Sequence, residues 1–303
     1  MSAADALLLA PDAGPAQAPA GSRARTVWRA FARDRLALFG LGLIALLVLA
    51  AVFAPLIAPD PEQGRGAAAT AQRNLGPSLD HLLGTDPLGR DVLSRIVYGA
   101  RPALGVSLSV VALAVLVGVP LGLIAGYRGG RVDEAIMRVT DMFLAFPPLL
   151  LAMVIVSLLG PSLWNAALAL AISWWPWYAR LVRGVAASLR ERPFVEGARA
   201  LGLSDWAVMR RHLLPNALGP IVVQATVDVG SVILAAASLA FLGLGAQAPS
   251  PDWGLMVFDG RASIFEHWWY SAFAGLAIFL AVLGFNLVGD ALRDALDPRE
   301  ERR

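Results

Sequence analysis

The sequence predicts an all-α, polytopic transmembrane helix bundle, and three observations predict it. Hydrophobic residues make up 57% of the 303 residues and charged residues 16%, well below the roughly one quarter charged of a soluble domain. Mean hydropathy is +0.62. Apolar runs of about 20 residues, the length that crosses a hydrocarbon core of about 30 Å, recur at about 36–58, 102–126, 140–160, 163–183, 217–246 and 269–289. Six expected spans exclude a soluble domain on a single anchor.

Residues 1–25 are rich in Ala and Pro, lack a basic start and carry only a short apolar run. They fail as a signal peptide and read as a disordered cytosolic tail. Residues 26–60 hold the first transmembrane helix, and 61–101 form an extracytoplasmic segment. Residues 102–292 form a core of five transmembrane helices with a cytosolic loop at 190–216, and 293–303 are a cytosolic tail. Helix breakers interrupt several spans: GVPLG at 118–122, FPP at 146–148 and WWPWY at 174–178. Proline removes a backbone donor, which a membrane tolerates only where neighbours or water satisfy the freed carbonyl. Such breaks fit helices that line a pathway and equally fit ordinary bundle irregularity. Trp174, Trp175, Trp177 and Tyr178, followed by Arg180 and Arg183, read as an interfacial aromatic belt.

All 25 basic residues are arginine. With the N-terminus cytosolic, nineteen of them fall on the inner side and six on the outer, so both termini are expected in the cytosol. That asymmetry also accounts for the pI of 9.5 without nucleic acid as a partner. No cysteine is present, which excludes disulfides, thiolate metal sites and cysteine nucleophiles. With no lysine there is no phosphate-loop G-x-x-x-x-G-K-[ST], so any ATP that drives this protein is hydrolysed by another subunit. His81, His212 and His267 fall in expected loops. No serine with a nearby base and no metal-ligand spacing stands out, so no catalytic, cofactor or metal residues are assigned.

Two segments carry more information. On the outer side, GTDPLGRDVLSRIVYGARPALG (84–105) reads as an amphipathic helix capped by Asp86 with Pro87 first. Leu88, Val92, Leu93, Ile96 and Val97 share its apolar face, and Asp91 and Arg95 are spaced to pair. It is a packing strut or a gate element. On the inner side, EGARALGLSDWAVMRRHLLPN (196–216) reads as two short helices with an elbow at Gly202. Phe194, Ala198 and Leu201 would line the first. Ser204 would cap the second, with Asp205 in its first turn, an apolar stripe of Trp206, Met209 and Leu213, and Pro215 as its end. Projected by long spans on both sides, such a knob docks a partner or lies on the headgroups. Within the fifth span, Asp228 stands one turn after Gln224. A carboxylate in mid-membrane faces the bundle interior or a watery cavity. Both residues are candidates for a solute pathway, or for a buried polar pair between helices.

The inner segment resembles the cytosolic loop of binding-protein-dependent ABC importer permeases, whose pattern is E-A-A, three residues, G, nine residues, then I-x-L-P. Glu196, Ala198, Gly202, Leu214 and Pro215 fall in register, whereas Gly197 replaces the middle alanine and His212 the isoleucine. From about Trp28 onward, LGTDPLGRDVLSRIVYGAR, WPWYARLVRG, ASLAFLGLGAQAPSPDWG and FNLVGDALRDALDPR are similar to the dipeptide, oligopeptide and nickel permease group, in its second, C-type, subunit. Ala236 stands where that group usually carries an acidic residue.

The resemblance implies a type I ABC importer permease fold and a subunit that is not itself an enzyme. It implies a second permease subunit, two ATP-binding subunits that use ATP and Mg, and an extracytoplasmic solute-binding protein. The setting would be a bacterial or archaeal cytoplasmic membrane. Glu196, Ala198, Gly202, Ser204, Asp205, Leu214 and Pro215 would form the surface that couples to an ATPase subunit. The solute would be a small peptide, a nickel complex or a related molecule. The rival reading is a secondary transporter or channel with Asp228 as an ion relay.

Overall fold

A computed structural model describes residues 31–296. The expected tail at 1–25 lies outside the described residues, as do Asp297, Arg299, Arg302 and Arg303 of the expected tail at 293–303. The described residues are almost wholly helical, with one isolated bridge between Thr85 and Asp91.

Helix α1 (Arg35–Ile57) begins where the Asp34 carboxylate accepts a hydrogen bond from the Leu36 N–H at 2.8 Å, serving a donor that has no intrahelical partner. Pro55, inside α1, has no N–H to offer the Ala51 carbonyl one turn earlier, and the helix kinks at Phe53 (φ −97°, ψ 17°). Arg101 supplies the missing donor, from Nε to the Ala51 carbonyl at 2.6 Å and from its terminal nitrogen to that of Val52 at 3.3 Å. The short α2 (Pro61–Arg65) follows, capped by Asp60.

Helix α3 (Val92–Arg128) has 37 residues, about 55 Å at 1.5 Å per residue, so it extends well beyond a bilayer core. The separate surface helix expected from Asp86 is not formed. Residues 84–91 instead make a closed turn with Gly84 and Gly89 at φ +76° and +79°. The Asp86 carboxylate accepts from the N–H groups of Leu88 and Arg90. The true cap is Asp91, which accepts from the Ser94 N–H at 2.7 Å, and the helix then runs unbroken through Pro102 and Pro120. The expected boundary at 101/102 therefore falls inside one helix. The Asp91–Arg95 pair is not formed either: Asp91 contacts His81 Nδ1 at 3.1 Å, while Asp86 faces Arg90 at 2.5 Å and Arg95 at 3.7 Å.

Helices α4 (Gly130–Leu144) and α5 (Pro148–Leu159) meet at an 83° bend across the Phe146–Pro148 stretch, the one expected break that the chain makes. Helix α6 (Leu163–Arg190) starts at the Ser162 cap and passes Pro176 without interruption. GVPLG, expected as a break, is instead a packing seam. Gly118, Gly122 and Gly126 present one face of α3 to α6, and a Cβ added at any of them would lie 2.5 Å from the carbonyl of Trp175, Ala179 or Arg183. Backbones can approach that closely only where side chains are missing. Half of the expected aromatic belt is core as well. Trp175 and Tyr178 are buried and only Trp177 is exposed, with Trp175 edge-on to Phe143 at 5.4 Å.

Helices α7 (Pro193–Ala200) and α8 (Asp205–Val208) form the knob, and α9 (Leu214–Phe241), α10 (Trp253–Gly260) and α11 (Trp268–Leu296) follow. Helix α11 packs on α1 through Gly40 and Gly284, and on α9 through Gly230 and Gly289. By length and apolarity four helices qualify as spans: α1, α3, the run 205–241 and α11. The bent α4–α5 pair makes up to five. The fourth expected span, 163–183, falls in α6, whose 28 residues reach about 42 Å.

The end of the bundle opposite the knob is sealed by polar contacts between segments far apart in sequence. Arg95, fully buried, donates to the Ser250 carbonyl at 2.9 Å. The indole N–H of Trp253 donates to the Ile96 carbonyl at 3.0 Å, and that of Trp269 to Thr85 at 3.2 Å. The Asp91 N–H donates to Gln63 Oε1 at 2.7 Å. The first turns of α3 are thereby tied to Ser250 and Trp253, Thr85 to the start of α11, and Arg95 faces Asp86 as well as Ser250.

Candidate functional site

The knob is built at the end of the bundle where α3 ends, α4 starts, α6 ends and α9 starts. Pro193 opens α7 at the first-turn position, where a missing N–H costs nothing. The helix closes at Gly202 (φ +80°) in a double hydrogen-bonded stop. The Gly202 N–H donates to the Arg199 carbonyl at 2.9 Å and the Leu203 N–H to that of Ala198 at 3.2 Å, the pairing that spans a left-handed residue after a helix. Ser204 then caps α8, its hydroxyl accepting from the Ala207 N–H at 3.4 Å.

Pro215 does not end the second helix as expected. Residues 205–241 form one continuous helical rod, because Met209–Leu213 is a π-turn and the Leu214 N–H reaches the Met209 carbonyl, five residues back. The wider turn sits immediately before the proline, which cannot donate to the preceding turn and would crowd it. The knob's second half is thus rigidly joined to a membrane span.

The expected apolar stripes divide between two faces. Val195, Ala198, Val208, Met209 and Leu213 are buried against Leu123 and Tyr127 of α3, Val182 and Ala186 of α6, and Ala217 and Ile221 of α9. Full burial of a Val, Leu or Met side chain contributes about 1.5–3 kcal/mol, so this face anchors the knob. Phe194, Leu201 and Trp206, placed on those stripes by spacing alone, face outward and are 43%, 83% and 65% exposed. Glu196 lies on the same outer side, and among the described residues its carboxylate makes no ion pair. Local pairing with Arg192 or Arg199 is not seen. Arg199 instead donates to the Tyr127 hydroxyl at 3.2 Å and lies over that ring at 4.7 Å, while the hydroxyl donates to Asp205 at 2.9 Å.

Tyr127 is therefore the residue holding the knob to α3 that sequence reading missed. Its only signal is its position at the last turn of a span, beside Arg128 and Gly129. The two departures from the loop pattern behave differently. Gly197 has open space where a Cβ would lie, whereas the His212 ring packs on Phe194 with centroids 6.3 Å apart. Leu214 is half-buried and Pro215 exposed. Two ion pairs join the α4 arm to α6 beside the knob: Asp133 with Arg183, bidentate at 3.0 and 2.6 Å, and Asp141 with Arg180.

The candidate pathway residues are not in the knob. Asp228 is buried within the bundle and accepts from Gln224 Nε2 at 3.0 Å. No group of His, Asp or Glu among the described residues has the arrangement of a metal site.

A family profile described as "Binding-protein-dependent transport system inner membrane component" matches residues 118–302, and one described as "N-terminal TM domain of oligopeptide transport permease C" matches residues 22–77. The chain is 48% identical over 275 residues to the dipeptide transport system permease protein DppC of Alkalihalophilus pseudofirmus, covering 91% of this chain and 90% of that protein. It is 46% identical over 258 residues to the probable D,D-dipeptide transport system permease protein DdpC of Escherichia coli, with 85% of each covered. It is 43% identical over 276 residues to the glutathione transport system permease protein GsiD of Pectobacterium atrosepticum, with 91% of each covered. Among solved structures, an inward-facing MetNI methionine ABC transporter chain aligns with a TM-score of 0.54 at 20% identity, over 67% of this chain and 96% of that chain. That likeness bears on the fold. None of these matches lends support to a secondary transporter or channel.

Proposed function

This chain belongs to the binding-protein-dependent transport system inner membrane component family, the permease subunits of ABC importers, and from that premise we propose that it carries short peptides across the cytoplasmic membrane. The relatives named for dipeptides, D,D-dipeptides and glutathione share one chemistry, a short amide-linked solute with charged ends. A second permease completes the pathway, two ATP-binding subunits use ATP and Mg below it, and an extracytoplasmic binding protein delivers solute above. Both termini face the cytosol.

The observation that carries the reading is the outward face of the knob. Phe194, Leu201 and Trp206 are apolar and exposed around Glu196, which makes no ion pair among the described residues, while the opposite face is buried in the bundle. Apolar anchors rimmed by charge fit a pocket on another protein. Moving a two-state equilibrium from 1:99 to 99:1 takes about 5.5 kcal/mol of differential binding, which a loosely held knob would not transmit. The Tyr127 clamp and the unbroken rod from 205 to 241 supply the stiffness.

The test is ATP-driven uptake of radiolabelled dipeptides and glutathione into proteoliposomes holding the complete importer. Uptake that requires ATP and the binding protein is expected. Glu196→Lys is expected to lower recovery of the ATPase subunits with the permease and to cut uptake at least tenfold. Wild-type uptake with undiminished recovery would sink the coupling role of Glu196.

A further inference from the structure

At the end of the bundle opposite the knob, two short turns each hold up one bare apolar side chain. The first is closed by the Ser78 N–H, which donates to the His81 carbonyl at 2.8 Å, and by the His81 N–H, which donates to the Ser78 hydroxyl at 3.1 Å. Leu79 in this turn is 96% exposed. The second is closed by the N–H groups of Glu266 and His267, which donate to the Ser263 carbonyl at 3.1 and 2.7 Å. Phe265 in that turn is 99% exposed. Trp269 joins the two segments. Its indole would lie 2.6 Å from a Cβ on Gly84 and 3.9 Å from one on Gly76. Its N–H donates to the Thr85 carbonyl at 3.2 Å, and the Thr85 N–H donates to the Leu75 carbonyl at 2.9 Å. The same two segments add Leu75, Leu82, Ile264 and Trp268 as exposed apolar surface.

Neither tip packs against the rest of the chain, so neither stabilises the fold by burial. Lipid is a poor cover for them. Residues 75–80 are irregular and all exposed, and hydrocarbon does not take lipid-exposed irregular backbone. Each tip is also followed by an acid, Asp80 after Leu79 and Glu266 after Phe265. Both carboxylates are exposed and make no ion pair among the described residues. An apolar anchor beside a free charge fits a pocket with an oppositely charged rim on another protein. Turns already closed by their own hydrogen bonds also lose little freedom on docking. On the importer reading the knob lies in the cytosol, so this end is extracytoplasmic. We propose that Leu79 and Phe265 are the anchors on which the extracytoplasmic solute-binding protein seats, each entering an apolar pocket whose Lys or Arg rim meets Asp80 or Glu266.

The proposal rests on the importer reading, and the two fail differently. If the wild-type complete importer in nanodiscs shows no ATP hydrolysis that responds to its purified binding protein, the importer reading fails and the seat with it. With that response established, the binding-protein concentration that half-saturates hydrolysis is compared for wild type, Leu79→Ser, Phe265→Ser and the double variant. Phe265→Ser is expected to raise it about tenfold and Leu79→Ser about threefold, with all subunits recovered. Asp80→Asn with Glu266→Gln should flatten the salt dependence of the association rate. The chain has no cysteine, so Phe265→Cys gives this subunit a single site for a membrane-impermeant maleimide. Ready labelling that added binding protein slows is expected. An unchanged half-saturating concentration in the double variant would overturn the seat. So would a Phe265→Cys variant that the reagent does not label, which puts the tip in lipid, or loss of the second permease on Phe265→Ser, which makes the turn a contact between permeases.

Discussion

At Asp252 one carboxylate serves two opposed demands. It caps α10, accepting from the Leu255 N–H at 3.0 Å, yet it is only 8% exposed. Burial pushes its carboxyl above the ordinary range, opposed by the N–H groups of Leu255 and Gly254 and by the Arg95 charge. A carboxyl that holds its proton more tightly folded than unfolded leaves stability intact while protonated and loses it as pH rises through the folded-state pKa. Asp252→Asn keeps a cap acceptor and cannot ionise. Its melting temperature in detergent is expected to match wild type in acid and to exceed it increasingly toward neutral pH. A variant less stable at neutral pH would show that the ionised form is needed. Gly202 is a residue of another kind, needed for its backbone alone: φ is +80°, and no atom lies within 4 Å of an added Cβ. Gly202→Ala should therefore cost about 1–2 kcal/mol of local conformational energy without a clash. Amide exchange at 198–207 should quicken by roughly tenfold, while exchange in α3 stays unchanged.

At the scale of elements, helices here are joined by glycine seams as much as by apolar side chains. Helix α3 contains a direct comparison. A Cβ at Gly122 would lie 2.5 Å from the Ala179 carbonyl and 2.9 Å from Val182 Cβ, whereas Gly105 has nothing within 4 Å. Gly122→Ala should destabilise by about 1–3 kcal/mol through overpacking. Gly105→Ala should be neutral or stabilise by up to about 1 kcal/mol through helix propensity. Equal melting temperatures for the two variants would refute the seam. The knob illustrates the same scale. Its elbow, cap and π-turn are all local hydrogen-bond solutions, and the elbow at Gly202 and the Ser204 cap were legible because each lies within a few residues of its partners. The π-turn was not, since Pro215 read alone marks a helix end, and only the bundle contacts of Leu213 and Ala217 make a continuous rod more favourable than a stop.

At the scale of the molecule, two layers flank the bundle. One layer, opposite the knob, ties Asp86 to the loop after α9 through the buried Arg95, and the other ties the knob to α3, α6 and α9 through Tyr127 and the apolar cluster around Leu213. Between them run α6 and α9. Trp206, on the exposed face of the knob, is joined to the middle of the bundle by the unbroken helix 205–241, and the Glu196→Lys variant tests that face.

Sequence by itself determined the class of fold, the approximate place of the four helices that qualify as spans, the bend at Phe146–Pro148, the elbow at Gly202 and the family resemblance. All of these are written in hydropathy or in patterns a few residues long. Only the tertiary structure decided which carboxylate Arg95 faces, that GVPLG is a seam and not a break, and which side of the knob is buried. The reason is distance along the chain. Arg95 meets Ser250 across 155 residues and Tyr127 meets Asp205 across 78, so such contacts exist only once the helices have packed, and no local period encodes them.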